Sequence, residues 1–283
     1  MKGKSLSILT VLLVVSSVVV SGCINQTTGT NFDSGVNIIN FEPEMQSVYS
    51  DESVNFQMKI KNLGSFQAEG KAKMELSEWT CRGGAMASES FSLIPPYPDR
   101  GTEGEEKVFL WSCQAPKIPE GMSIPYEARV EVEYPYKTIS SRTITILPTS
   151  ELVALNNAGK PLPSETDSQS HSPVKAEVLV KGPIRIRDGG SVEFPITIKI
   201  SNIGGGIVKE SKVNLKVEKA GAISNLKDCD QSNLPLWKGQ SQTVTCEVTA
   251  NNVKDITTSR IIANVEYTYI ISSSANVAVL GSE

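Results

Sequence analysis

Ala128-Arg129-Val130-Glu131-Val132-Glu133-Tyr134-Pro135-Tyr136, followed by Ser140-Ser141 and Ile144-Thr145-Ile146-Leu147, decides the reading of this chain. Apolar residues fall at every second position, the period of a strand with one buried face. At a constant offset of 133 the pattern returns as Val265-Glu266-Tyr267-Thr268-Tyr269, Ser273-Ser274 and Val277-Ala278-Val279-Leu280. Seven of these positions are identical: Val132/Val265, Glu133/Glu266, Tyr134/Tyr267, Tyr136/Tyr269, Ser140/Ser273, Ser141/Ser274 and Leu147/Leu280. Upstream, Ile60-Lys61-Asn62-Leu63-Gly64 parallels Ile200-Ser201-Asn202-Ile203-Gly204. Several landmarks in one alignment indicate a tandem duplication.

The same period runs through Val54-Phe56-Met58-Ile60 and Val192-Phe194-Ile196-Ile198-Ile200, and through Ala72-Met74-Leu76 and Val213-Leu215-Val217. Seven to eight short strands per copy, separated by Gly, Pro, Asn and Ser clusters, predict an all-β chain. The strand count favours two tandem immunoglobulin-like antiparallel β-sandwiches, with a barrel as the competing architecture. The expected division is a signal segment at 1–22, a tether at 23–35, sandwiches at 36–148 and 174–283, and a polar, proline-bearing linker at 149–173. The linker is read as a hinge, with a short edge strand around Leu152–Leu155. No helical period is evident beyond the signal.

The N-terminus carries Lys2 and Lys4, then an uncharged Val/Leu-rich run from Leu6 to Gly22 that ends in Val20-Ser21-Gly22-Cys23. A charged start, an apolar core and small residues before a cut site are signs of export. Asn25-Gln26-Thr27 in the tether matches an N-glycosylation sequon. Cys81 and Cys113 lie in the first copy, Cys229 and Cys246 in the second, and Cys113 and Cys246 share the 133 offset. One pair per copy in an exported chain reads as one disulfide per copy. No C-x-x-C spacing supports a zinc site.

Composition narrows the function. The chain has 283 residues, a formal charge of −4, 39% hydrophobic and 20% charged residues. It is neither a disordered polyelectrolyte nor a basic nucleic-acid binder. No nucleophile elbow, zinc-protease, P-loop or dinucleotide pattern occurs, and the single histidine, His171, sits among serines in the linker. No enzyme, cofactor or metal site is therefore expected. The acidic set Asp99, Glu103, Glu105 and Glu106 has no EF-hand spacing and reads as a solvated loop. Gly204-Gly205-Gly206 opens no helix and reads as a turn or bulge. The pairs Tyr134/Tyr136 and Tyr267/Tyr269 read as core or sheet packing. Candidate recognition elements are the Ser77–Lys107 loop and the aromatics Trp79, Tyr97, Trp111 and Tyr126.

Val-Ser-Gly-Cys at 20–23 resembles the lipobox of prokaryotic lipoproteins, which implies a diacylglyceryl-type lipid on Cys23 after cleavage. Lys-Ile-Lys-Asn-Leu-Gly at 59–64 and Lys-Ile-Ser-Asn-Ile-Gly at 199–204 resemble the strand end of CARDB-type immunoglobulin-like modules in bacterial and archaeal surface proteins. The lipobox and Thr-bearing tether together resemble archaeal surface lipoproteins of thermophilic euryarchaea. These resemblances imply a cell-surface lipoprotein on the extracytoplasmic face, anchored in the bilayer through Cys23 or through an uncleaved N-terminal helix. Its expected role is a non-catalytic structural or protein-interaction module whose partner is another envelope or surface protein. The alternative is a carbohydrate- or ligand-binding module serving an envelope transporter or hydrolase.

Overall fold

The computed structural model describes residues 35–82, 86–187 and 189–282. The expected signal segment at 1–22, Cys23 and Asn25 lie outside them. Among the described residues the chain is all-β, with eighteen strands and one α-helix. Each copy places a four-stranded antiparallel sheet against a larger shared sheet. In the first copy the small sheet is β1 (Val36–Pro43), β3 (Ser53–Asn62), β7 (Glu106–Gln114) and β5 (Thr80–Cys81), in that order. In the second it is β10 (Val174–Leu179), β12 (Ser191–Asn202), β17 (Ser241–Asn251) and β15 (Ile223–Lys227). Strict alternation in β3, buried at Val54, Phe56, Met58 and Ile60, aims one face at the core.

The third sheet belongs to both copies. Its order is β16 (Gln231–Pro235), β14 (Lys212–Ala220), β18 (Thr257–Leu280), β8 (Ser123–Pro148), β4 (Ala68–Glu75) and β6 (Met86–Leu93). Four short strands join its flanks: β2 (Ser47–Tyr49), β9 (Asp167–Gln169), β11 (Ile184–Ile186) and β13 (Ile207–Val208). The two long strands pair antiparallel along almost their whole length, from Ser123 opposite Leu280 to Ile146 opposite Thr257. Residues 133 apart are equivalent, and Pro135 lies opposite Thr268. Equivalent residues therefore face each other there, and a local twofold axis passes between them.

The consequence is reciprocal completion. The first half of β8 pairs with β4, and the second half of β18 closes the sheet on its other side. The first half of β18 pairs with β14, and the second half of β8 closes that sheet. Each sandwich thus takes a strand from the other. One hydrophobic core runs through both copies. The tie between them is this ladder as well as the segment 149–173.

That segment differs from a bare linker. Thr149–Ala158 is a helix, α1, where an edge strand around Leu152–Leu155 was expected. Glu151 stands in its first turn and Gly159 closes it in the left-handed conformation, φ 62°, which needs no Cβ. None of its residues is buried, so no apolar stripe signalled it in the sequence. Further on, Asp167–Gln169 pairs with Ser140–Arg142 of β8.

Candidate functional site

The four paired tyrosines meet at the twofold axis. Tyr134 and Tyr136 pack with Tyr269 and Tyr267, ring centres 5.5–6.4 Å apart. All four are buried. Burial pushes the Tyr136 and Tyr269 phenols up to about 12, and the Tyr134 and Tyr267 phenols also rise, again because burial disfavours the phenolate.

Their hydroxyls explain the Asn-x-Gly strand ends. Tyr136 Oη accepts from Phe66 N at 3.1 Å, and Tyr269 Oη accepts from Gly206 N at 3.0 Å. Tyr269 also donates to Asn202 Oδ1 at 2.9 Å. Asn62 Nδ2 donates to Phe66 O and Leu93 O, and its Oδ1 accepts from Gly64 N. A side chain at Gly64 would overlap Tyr136 Oη, and one at Gly204 would overlap Tyr269 Oη. The motif is therefore a seat for the axial tyrosines. The same contact accounts for the first glycine of Gly204-Gly205-Gly206, while a Cβ at Gly206 would overlap Ile270 O.

On the opposite side of the shared sheet the axis opens into a groove of about 570 Å³. Its floor is Pro135–Lys137 of β8 and Glu266–Thr268 of β18. One wall is Phe66 and Gln67; the other is built by Lys209, Glu210, Lys212 and Asn233. Lys137 Nζ lies 4.7 Å from the Phe66 ring centre, a cation–π contact. Lys209 Nζ binds Glu133 Oε1 at 2.6 Å. Asn214 Oδ1 accepts from Asn233 N at 3.0 Å. A second depression of about 530 Å³ continues along β14 past Lys216, Gln231 and Asn264.

The residues singled out in the sequence fall as follows. Cys81 is joined to Cys113 and Cys229 to Cys246. The first bond links neighbouring strands of one sheet, with the two cysteines directly opposite each other. The acidic loop does not converge on a point. Lys61 binds both Glu103 and Glu106, Lys59 binds Glu106 at 2.5 Å, and Glu105 accepts from Ile94 N. The Glu106 carboxyl is held below its ordinary range by its bond to Lys59, then by Lys61. Among the described residues no group of three or more His, Cys, Asp or Glu gathers to hold a metal. No helix among them is long and apolar enough to cross a membrane. The His171 backbone exchanges bonds with Ser65, next to the first Asn-x-Gly turn.

Two expectations need correction. Ser77–Lys107 is not a bare loop, because it contains β5, β6 and a 3-10 turn at Pro98–Arg100. Trp79 and Trp111 are not surface aromatics. They are core side chains, packed on Phe56 and Phe109, with indole N–H groups that carry no partner among the described residues. Tyr126 is half-buried and donates to Glu78. Tyr97 is exposed, and so is Trp237, which sequence reasoning did not single out and which at 58% is, with Tyr49, the most exposed aromatic among the described residues. Its signal was available: Ile94-Pro95-Pro96-Tyr97 aligns with Leu234-Pro235-Leu236-Trp237. The groove was missed because its wall comes from a local difference between the copies.

No family model matches the chain, and no curated protein matches it. Among solved structures it is similar to Escherichia coli alpha-2-macroglobulin activated by porcine elastase, at 10% identity and a TM-score of 0.20, over 88% of this chain. The chain spans 33% of the length of that structure. A likeness of that size carries no weight for fold or function. The class is set by the sheets themselves: an all-β, immunoglobulin-like double sandwich with a disulfide in each copy.

Proposed function

We propose that the chain is an extracytoplasmic lipoprotein, held at the cell membrane through a lipid on Cys23, and that its double sandwich is a non-catalytic structural and protein-interaction module. The observation that carries this reading is a disulfide in each copy behind a Val20-Ser21-Gly22-Cys23 segment. Disulfides persist in oxidising compartments, and a two-chain lipid suffices for stable anchoring. The reading is in keeping with the resemblance to archaeal and bacterial surface lipoproteins bearing CARDB-type domains.

An envelope or surface protein is the proposed partner. The outer face of β7 supports this, with Val108 45% and Leu110 65% exposed. The corresponding face of β17 turns out Ser241, Thr243 and Thr245. A duplicate that keeps hydroxyls where the first copy exposes Val and Leu supports reading those two positions as a contact surface. The test has two parts. Intact mass of the membrane-extracted protein is expected to start at lipidated Cys23, and Cys23→Ser is expected to leave the membrane fraction. A mass starting at Met1 would replace the lipid with an uncleaved helix, and recovery from the cytoplasm with free thiols would overturn the reading. Cross-linking in native membranes is expected to capture a partner that Leu110→Lys releases; unchanged capture removes β7 from the interface.

A further inference from the structure

The duplication supplies an internal control for the groove. β13 and β14 both pair with β18, but their registers along it differ by three residues. The interruption is Lys209-Glu210-Ser211. In the first copy the equivalent strand, β4, runs unbroken from Ala68 to Glu75. The second copy therefore carries a three-residue insertion, and that insertion forms part of the groove wall.

The insertion is held in a costly conformation. Glu210 and Ser211 have φ of 54° and 53°, the left-handed region that L side chains rarely adopt. Such strain persists where the surroundings hold it, and it concentrates at binding and switch sites. Here Ser211 O accepts from Leu236 N at 2.7 Å, and Lys209 is pinned to Glu133 across the sheet. A turn fixed at both ends, absent from the duplicate, and lining a groove has the marks of a built site.

The lining identifies the ligand class. Lys209 pairs with Glu133, Lys212 with Glu210 and Lys216 with Glu218. These paired charges do not suit a polyanion. β14 lies between β16 and β18, and β18 pairs with β8 along its length, so the groove offers a peptide no continuous free edge, only the short gaps between Glu133 and Ser140 of β8 and at Tyr267–Thr268 of β18. What remains are interspersed donors and acceptors: Asn214 Nδ2, whose Oδ1 is taken by Asn233 N; Gln67 Oε1, whose Nε2 is spent on Glu69 and Ser92; the Thr268 hydroxyl, Lys137 and the Glu266 carboxylate. Glu266 has no side-chain partner among the described residues. Groups that donate and accept side by side match sugar hydroxyls, which do both. The groove and its continuation follow β14 from Lys212 to Lys216 and beyond to Glu218, about 20 Å at 3.3 Å per residue.

We propose that the groove formed by Lys209, Glu210, Asn214, Lys137 and Glu266 binds a neutral oligosaccharide. The proposal does not depend on the lipid anchor.

The test is calorimetric titration of the full chain in detergent with hexamers of glucose, mannose and N-acetylglucosamine. At least one is expected to bind. Deleting Lys209–Ser211, which reproduces the first copy, is expected to abolish that binding. Glu266→Gln, a surface change that keeps the side-chain shape, is expected to weaken it about tenfold. Should the deletion fail to fold, Glu266→Gln and Asn214→Ala decide the matter. Silence with all three hexamers overturns the proposal. So does unchanged affinity in Glu266→Gln and Asn214→Ala, or tighter binding of a heparin fragment or an extended peptide at the same residues.

Discussion

Gly64→Ala tests the link between the Asn-x-Gly turns and the twofold axis. An added Cβ would overlap Tyr136 Oη and lie 2.9 Å from Gly35 Cα and Tyr136 Cζ. The surroundings must move. Overpacking costs about 1–3 kcal/mol. If the tyrosine yields, its bond to Phe66 N is lost, and a buried N–H left without a partner costs about 1–3 kcal/mol more. The single variant is therefore expected to lose about 2–6 kcal/mol in all. Tyr136→Phe alone should lose about 1–2 kcal/mol, the value of that hydrogen bond. In the Gly64→Ala background the bond is already gone and the hydroxyl is the clash, so Tyr136→Phe should cost nothing or restore stability. Urea unfolding of all four proteins gives the coupling energy, expected at about 1–2 kcal/mol in favour of the double variant. Additivity within about 0.5 kcal/mol would refute the reasoning. Gly205→Ala is the control, since a Cβ there meets nothing within 4 Å. It should be neutral or slightly stabilising.

The alkaline limit of stability follows from the same four tyrosines. Their folded phenols ionise above the ordinary value of 10, with Tyr136 and Tyr269 at about 12, so the contribution is complete below pH 10 and is lost as pH rises towards 12. Each raised phenol should remove about 1.4 kcal/mol per pH unit in that window, read from urea midpoints; ordinary phenolate titration of all seven tyrosines in an intact fold counts against it. Cys81→Ser with Cys113→Ser should cost about 3.7 kcal/mol and the Cys229/Cys246 pair about 3.2 kcal/mol on the chain-entropy model, given separations of 32 and 17 residues. Equal melting temperatures of oxidised and reduced protein would contradict both figures. Leu215→Ala, in the core of the second copy, should cost about 2–5 kcal/mol, measured by denaturant unfolding, and an effect under 1 kcal/mol would place Leu215 outside the packed interior.

Much of the architecture was legible in period two. Val130, Val132 and Tyr134 in one copy and Ala263, Val265 and Tyr267 in the other point inward as their alternation requires. The cysteine pairs were legible because each copy holds two and the chain looks exported. What alternation does not encode is where a strand stops. Nothing in Tyr134-Pro135-Tyr136 distinguishes a turn between neighbouring strands from a strand that runs on into the other copy. Proline there suggests a break. The structure accommodates it because β4 pairs with β8 only up to Glu133 and β9 only from Ser140. Pro135 stands in the gap, where a missing N–H leaves no ladder bond unmade. The groove was illegible for a related reason: it depends on a three-residue register difference between β13 and β14, which alternation reads as two ordinary strand pieces.

A shared sheet also changes what the duplication means for function. Two beads on a hinge present two independent surfaces whose spacing varies. Here the ladder from Ser123 to Leu280 fixes one copy against the other, and the axial tyrosines bury the seam. The copies can then diverge without losing the fold, because each relies on the other for a strand. The seam itself stays symmetrical, with tyrosine, asparagine and glycine repeated on both sides. Divergence appears around it: Val108 and Leu110 on one small sheet, and Lys209–Ser211 at the rim of the axial groove on the other half. Symmetry at the seam is what packing demands of both copies, so the departures from symmetry are where a binding role has room to be written. On that argument the outer face of β7 and the axial groove are separate surfaces, and a change in one should leave binding at the other intact.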